Sequence, residues 1–188
     1  MGVISTFLRA IRAGAIHPSH SAALLTYHGR LGVAFDHCSK IVVDVLREEG
    51  MYKGHGDVVV SVVTSALKDV SNQSPLLSFP FSFTDCSKSF TLLLEGIAPD
   101  ESHTISLAKS LVPCLMMRGA QLAVVRKLEG QHVIAIHTQL LSWIAKRLGA
   151  YESNKNQRKK EFAILFFKVL QPLLAPLDNR DALAMYVP

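Results

Sequence analysis

The sequence has few cysteines and no long uncharged apolar run, and each absence excludes a class of protein. Its three cysteines, Cys38, Cys86 and Cys114, are far apart and form no C-x-x-C pair. This pattern indicates reduced thiols in an intracellular compartment and argues against a disulfide framework. No run of about 18 or more apolar residues lacks charge or proline. We therefore predict a soluble chain with no membrane partner.

Acidic residues are absent from positions 1–35, where Arg9, Arg12 and Arg30 are the charged residues. That composition is typical of a mitochondrial presequence, and the opening MGVIST fits a myristoylation pattern. Short acid-free stretches and six-residue patterns recur by chance, so neither signal assigns a compartment by itself.

The composition and length predict one folded domain whose C-terminal half is basic. The chain has 188 residues, of which 49% are hydrophobic and 19% charged, enough for a core and too apolar for disorder. Residues 1–100 carry 8 Lys and Arg against 9 Asp and Glu, and residues 101–188 carry 12 against 6. A positive surface suits nucleic acid, although basic linkers in helical proteins are also commonly just solvated.

Apolar residues recur at helical spacing along most of the chain. They predict helices over residues 3–14, 18–29, 33–50, 57–69, 99–117, 119–130, 131–151 and 161–174, with Pro113 as a kink. Residues 57–69 have the β-branched content of a strand, but Val59, Val63 and Leu67 recur every four residues, which favours helix. The predicted class is all-α, with HEAT- or armadillo-like stacked hairpins over residues 1–175 and an irregular tail over 176–188.

No constellation of catalytic or metal-binding residues is apparent. His132 and His137 are five apart, His17 and His20 flank a proline, and neither pair has zinc-ligand spacing. Cys38 and Cys114 lie in apolar stripes and are interpreted as core residues. No P-loop, nucleophile elbow or dinucleotide motif occurs, so we predict no catalytic residue, metal or cofactor.

Basic residues near the C-terminus are the candidate nucleic-acid contacts. Lys146 and Arg147 are expected to end the helix that carries Trp143, where cations complement the helix dipole, and the others crowd a predicted linker. A looser group combines Arg118, Arg126 and Lys127. Phosphate binding and simple solvation both fit these charges. The candidates are Lys146, Arg147, Lys155, Arg158, Lys159 and Lys160.

Two long stretches carry a family resemblance. HSAALLTYHGRLGVAFDHCSKIVVDVLREEGMY (residues 20–52) and LAKSLVPCLMMRGAQLAVVRKLEGQHVIAIHTQLLSWIAKRLGAYE (residues 107–152) resemble the C-terminal region of the stromal antigen family, the HEAT-repeat accessory subunits of cohesin. The likeness covers most of residues 10–175 outside residues 70–88. It implies a nuclear, chromosome-associated, non-enzymatic solenoid that helps cohesin engage double-stranded DNA and that binds its kleisin subunit and regulators.

The resemblance also limits what can be transferred. In the family, the principal kleisin groove and the peptide-capturing surface lie largely upstream of this region, so no family binding residue is assigned here. Residues 11–32 resemble the interior of the family's solenoid, which argues against a cleavable presequence. The alternatives are an unrelated helical-repeat adaptor or scaffold, and a mitochondrial or enzymatic helical domain.

The segment VSNQSPLLSFPFSFTDCSK (residues 70–88) interrupts the resemblance. Joining Asp69 to Ser89 would place Phe90 four positions after Leu67 and make the apolar stripe continuous. Val70–Ser71 can be encoded GTAAGT, a splice donor, and Lys88 can supply a terminal AG. We interpret the segment as a translated intron that is foreign to the fold, with a genuine loop insertion as the alternative.

Overall fold

The computed structural model describes residues 2–72, 101–118, 125–152 and 157–177, with backbone alone at residues 72, 101, 118, 150–152 and 157–163. Most of the described residues are helical, which confirms the all-α character. The α-helices are α1 (Gly2–Arg12), α2 (Ala22–Leu25), α3 (Val33–Met51), α4 (Gly56–Asn72), α5 (Glu101–Leu115), α6 (Gly130–Glu152) and α7 (Gln157–Leu170). Short 3₁₀ turns occupy Pro18–Ser21 and Gln171–Leu174.

The described helices lie in two layers. Helices α1, α3, α5 and α7 pack side by side in that order, and α2, α4 and α6 pack side by side in the second layer. Helices α4 and α6 run in the same direction: Gly56 meets His132 near the starts of both helices, and Lys68 and Gln139 line one groove further along them. The core lies between the layers.

Helix α4 is the most deeply buried element. Although its valines would also suit a strand, the residue range is helical, as the four-residue spacing predicted. It packs against α2, α3, α5 and α6, which explains why a helix rich in β-branched residues is stable. Its buried side chains are Val58, Val59, Val60, Val62, Val63, Thr64, Ala66, Leu67, Val70 and Ser71.

The single helix predicted over residues 18–29 is wrong. The chain forms a 3₁₀ turn followed by the short helix α2. Two side-chain hydroxyl groups donate hydrogen bonds to backbone carbonyls here. Ser21 Oγ donates to Pro18 O at 2.6 Å, and Thr26 Oγ1 donates to Ala23 O at 2.7 Å. Such side-chain bonds compete with helix propagation, and Gly29 at φ 72° then turns the chain toward α3.

The helix predicted over residues 119–130 is also wrong over residues 125–129, which the structure describes as a strand followed by a short connection. Strand β1 (Met116–Arg118) pairs antiparallel with β2 (Val125–Lys127), with Met117 opposite Arg126. Leu128 N–H donates to the Leu115 carbonyl at 2.8 Å, which satisfies a backbone acceptor at the end of α5. The ribbon therefore closes the end of α5 and leads the chain into α6.

The predicted end of the fourth helix at residue 69 needs correction. Helix α4 runs through Val70 and Ser71 to Asn72. Val70 is 2% exposed and Ser71 is 1% exposed, and Ser71 Oγ donates to Leu67 O at 2.7 Å. The first residues of the segment thus belong to the core. Residues 73–88, and with them the predicted surface loop, lie outside the described residues.

Two histidines are held in surroundings that disfavour their charged form. Burial lowers the pKa of His137, which a backbone hydrogen bond with Leu173 only partly offsets. Burial also lowers the pKa of His28; nearby Asp36 opposes this effect, while His103 and Lys40 add to it. The unfolded chain therefore binds more protons than the folded chain in mildly acidic solution.

We expect the melting temperature to fall as the pH drops from about 7 to about 5, since both folded pKa values lie below the unfolded value near 6.5. His137→Gln should make that fall shallower, because one of the two groups no longer titrates. His20→Gln, at an exposed position, is the matched control and should leave the slope unchanged. Equal slopes in all three proteins would show that His137 does not govern the acid response.

The intron interpretation makes a prediction about position 71. If residues 70–88 are removed, Phe90 takes the place of Ser71, and the protein should melt at a higher temperature because the apolar stripe becomes continuous. Thr64 is a similarly buried site on the same helix, where overpacking by Thr64→Phe should cost about 1–3 kcal/mol of stability. Ser71→Phe should destabilise the intact chain less than that. A deletion protein that unfolds more easily, with transcripts that uniformly retain the segment, would identify a real structural element.

Candidate nucleic-acid interface

Lys146 and Arg147 lie within α6 and do not end it. The helix continues to Glu152, so the predicted interaction of these cations with the C-terminal end of the dipole is wrong. The Arg147 guanidinium carbon lies 4.6 Å from the centre of the Trp143 ring, a cation–π geometry. Lys146 is exposed. The aromatic ring therefore fixes one cation of the pair, and the other extends into solvent.

A contact between aromatic rings sets the register of α6 against α7. The Trp143 and Phe166 ring centres are 5.3 Å apart, and the two residues are equally far from the connection between the helices. The helices therefore run back along each other as a hairpin. By the same register, the first turn of α7 lies about one helical turn nearer the connection than Arg147 does.

The basic residues predicted to form a linker fall mostly in a helix. Arg158, Lys159 and Lys160 belong to the first turn of α7, which begins at Gln157; Lys155 lies outside the described residues. The first turn of α7 contains no acidic residue, although the positive end of a helix dipole favours anions and disfavours cations. A bound anion such as a phosphate group would relieve this conflict. The structure thus brings most of the candidate residues to one end of the α6–α7 hairpin.

The second basic group lies on the β1–β2 ribbon. Val125, Arg126 and Lys127 are exposed along β2, and the Arg126 guanidinium carbon lies 4.9 Å from the centre of the Tyr52 ring. The Tyr52 hydroxyl points to Met117 Sδ at 3.7 Å. The ribbon is therefore attached to the end of α3 by an exposed aromatic side chain that the sequence analysis did not single out.

A carboxylate next to this aromatic contact neutralises part of the local charge. Glu49 accepts hydrogen bonds from Lys53 Nζ at 2.6 Å and from His55 Nδ1 at 2.8 Å. Burial alone would raise the pKa of Glu49, but the two hydrogen bonds outweigh it and lower that pKa. Gly54 at φ 75° makes the turn that returns His55 toward Glu49. The Lys53 charge beside Tyr52 is therefore neutralised by Glu49.

No metal-ligand cluster occurs in the part of the chain that the structure describes. His132 Nδ1 is 3.8 Å from Glu129 Oε2, and its ring lies against Gly56. Cys38 and Cys114 are buried, as predicted for core residues, and burial raises the pKa of the Cys114 thiol to about 12. Among the described helices, none is both long and apolar enough to cross a membrane.

Comparisons with known proteins identified no relative. No protein-family model, no curated protein and no solved structure matches the chain.

We expect Tyr52 and Arg126 to be energetically coupled. A double-mutant cycle with Tyr52→Leu and Arg126→Gln, followed by urea unfolding, should give a coupling free energy of about 0.5–1 kcal/mol from the cation–π contact. The control cycle pairs Tyr52→Leu with Lys109→Gln, an exposed cation on α5, and should be additive. Additivity in both cycles would mean that the Tyr52 contact does not hold the ribbon.

Proposed function

We propose that this chain is the C-terminal region of a stromal-antigen-type accessory subunit of cohesin. It acts as a non-enzymatic helical-repeat segment that supports sister chromatid cohesion in the nucleus by associating with chromosomal DNA. The supporting observation is that the two stretches carrying the resemblance, residues 20–52 and 107–152, pack together: the first supplies α3, and the second supplies most of α5, against which α3 lies. Cohesin subunits and regulators would be bound through the longer protein.

The two helical layers support a HEAT- or armadillo-like arrangement. In stacked helical hairpins, corresponding helices of successive hairpins lie side by side and point the same way. Helices α3 and α5 occupy one layer, and α4 and α6 occupy the other. We infer that the α3–α4 hairpin is one repeat of a solenoid, and that α5 and α6, which pack on α3 and α4 respectively, belong to the next repeat.

The proposed DNA contact is the basic end of the α6–α7 hairpin. It combines Lys146 and Arg147 of α6 with the three cations of the first α7 turn, and Lys155 belongs to the same run of sequence. Lysine and arginine side chains suffice for phosphate contacts, which position a protein on a duplex without reading its sequence. We therefore propose binding that is salt-dependent and largely independent of base sequence.

Exposed apolar residues on α7 favour a second candidate function. Ile164 is 60% exposed and Phe167 is 55% exposed, and their spacing of three places them on one face of the helix. Such a face suits a protein partner or a further repeat. An adaptor or scaffold unrelated to cohesin would use this face and would not need duplex DNA.

The DNA proposal predicts opposite changes in binding and in stability. Replacing Arg158, Lys159 and Lys160 with Ala should weaken binding to a duplex of random sequence and flatten its dependence on log salt, by about 0.9 for each phosphate that the variant no longer neutralises. The same protein should become more stable, because each cation removed from the start of α7 relieves about 0.3–1 kcal/mol of unfavourable dipole interaction.

The matched control removes three cations elsewhere, with Lys40, Lys68 and Lys109 replaced by Ala. We expect that control to keep the wild-type salt slope, measured by fluorescence anisotropy of the labelled duplex. Equal slopes in the two triple variants would exclude the hairpin end from the DNA surface and leave the adaptor function as the better explanation.

A further inference from the structure

A groove of about 370 Å³ lies between α1 and α3. The two helices run in the same direction here, because Arg12, the last residue of α1, pairs with Glu48 near the end of α3. The volume of the groove falls within the range of about 300–1,000 Å³ that is typical of ligand pockets. The lining residues are Ser5, Leu8, Arg9 and Arg12 of α1, and Ala34, His37, Cys38 and Ile41 of α3.

The groove has apolar and basic lining but no acidic lining residue. Leu8 and Cys38 are 5% and 8% exposed, and Ile41 packs against the same core, so these side chains form an apolar floor. Arg9 and His37 are exposed. Apolar surface with cations beside it is complementary to a ligand that carries both apolar groups and negative charge.

Arg12 can take a new anionic partner at little cost. Its guanidinium Nη2 is 3.4 Å from Glu48 Oε1, and the two side chains are 63% and 41% exposed. Ion pairs as exposed as this one contribute little to stability. A carboxylate arriving at the groove can therefore share or replace Glu48 without destabilising the fold.

We propose that the α1–α3 groove docks an acidic amphipathic peptide segment of a partner protein. Its apolar side chains would lie on Leu8, Cys38 and Ile41, and its carboxylates would face Arg9 and Arg12. Positions 1–35 contain no acidic residue, so the α1 side of the groove presents cations without intervening carboxylates. Duplex DNA fits this site less well than the hairpin end does, because an apolar floor offers nothing to phosphate groups. The proposal is independent of the proposed DNA contact.

The first test measures binding of a defined probe. A fluorescein-labelled helical peptide composed of Glu and Leu should bind the full chain saturably, and a Lys and Leu peptide of the same length should not. Arg9→Glu with Arg12→Glu should weaken binding of the acidic peptide about tenfold or more, as expected when charge-assisted contacts become repulsive. Lys68→Glu with Lys109→Glu makes the same charge change elsewhere and should have little effect.

A second variant blocks the groove without changing its charge. Ala34 is exposed at the start of α3, so Ala34→Trp should fold and fill part of the groove. We expect it to reduce peptide affinity about tenfold while the melting temperature stays close to that of the wild type. This variant keeps the test decisive if the double Arg variant is poorly folded.

Cys38 provides a reporter inside the groove. In a Cys86→Ser background, a thiol-alkylating reagent should modify Cys38 and not Cys114, whose thiol is fully buried with a pKa of about 12. Saturating acidic peptide should slow alkylation of Cys38 about in proportion to the bound fraction. Duplex DNA at the same charge concentration should give no such protection.

Several results would overturn the proposal. Equal affinity for the acidic and basic peptides, or unchanged affinity in both the Arg9/Arg12 and Ala34 variants, would show that the groove does not dock this partner. Protection of Cys38 by laurate but not by the peptide would assign the groove to a lipid. Self-association of the chain that Ala34→Trp abolishes, without peptide binding, would assign it to a second copy.

Discussion

The close packing around helix α4 is the constraint on which the rest of the described structure depends. At the end of α3, a Cβ atom added to Gly50 would lie 2.8 Å from Val59 Cγ2 and 3.0 Å from Leu128 Cδ1. At the start of α4, a Cβ on Gly56 would lie 2.5 Å from the His132 ring. Two glycines thus let α3, α4, α6 and the end of the ribbon approach one another at distances that other residues would prevent. Since α4 contacts helices of both layers, its position orients both.

Both proposed functional surfaces are formed by helices other than α4: one by α6 and α7, and the other by α1 and α3. The hairpin of α6 and α7 carries its cations at one end, near the Trp143–Arg147 contact. The α1–α3 groove lies where the layer has a short helix on one side. The two surfaces are also defined by different chemistry: the hairpin end by its cations, and the groove by an apolar floor with cations beside it. The proposed DNA contact and the proposed peptide groove are therefore separate places on the chain.

Two local features depart from the patterns that usually stabilise a helical protein. One lies at the proposed DNA contact, and the other lies in the core. The first turn of α7 places cations where the helix dipole disfavours them. His137 is 2% exposed, and its burial lowers the pKa of the imidazole. Consistent local choices stabilise a fold, and departures from them are expected where function or regulation requires them. The cations in the first turn of α7 lie at the proposed DNA contact, so function accounts for them. The buried His137 instead lowers the expected stability at low pH.

The amino-acid sequence by itself determined the helical class, the ranges of α3, α4 and α6 to within a few residues, and the burial of Cys38 and Cys114. These features follow from apolar residues at a spacing of three to four, which specifies one buried face per helix. The proposed identity likewise rests on sequence resemblance, supported by the packing of α3 on α5.

Tertiary structure alone decided the remaining features. The β1–β2 ribbon, the shortened α2 and the helical start of α7 at Gln157 depend on which partner satisfies each backbone group. For Val70 and Ser71, burial against neighbouring helices extends α4 past the predicted boundary. Differences in local propensity are below about 1 kcal/mol per residue, so long-range packing overrides them. The α1–α3 groove could not be predicted either, because it exists only where two helices separated in sequence lie side by side.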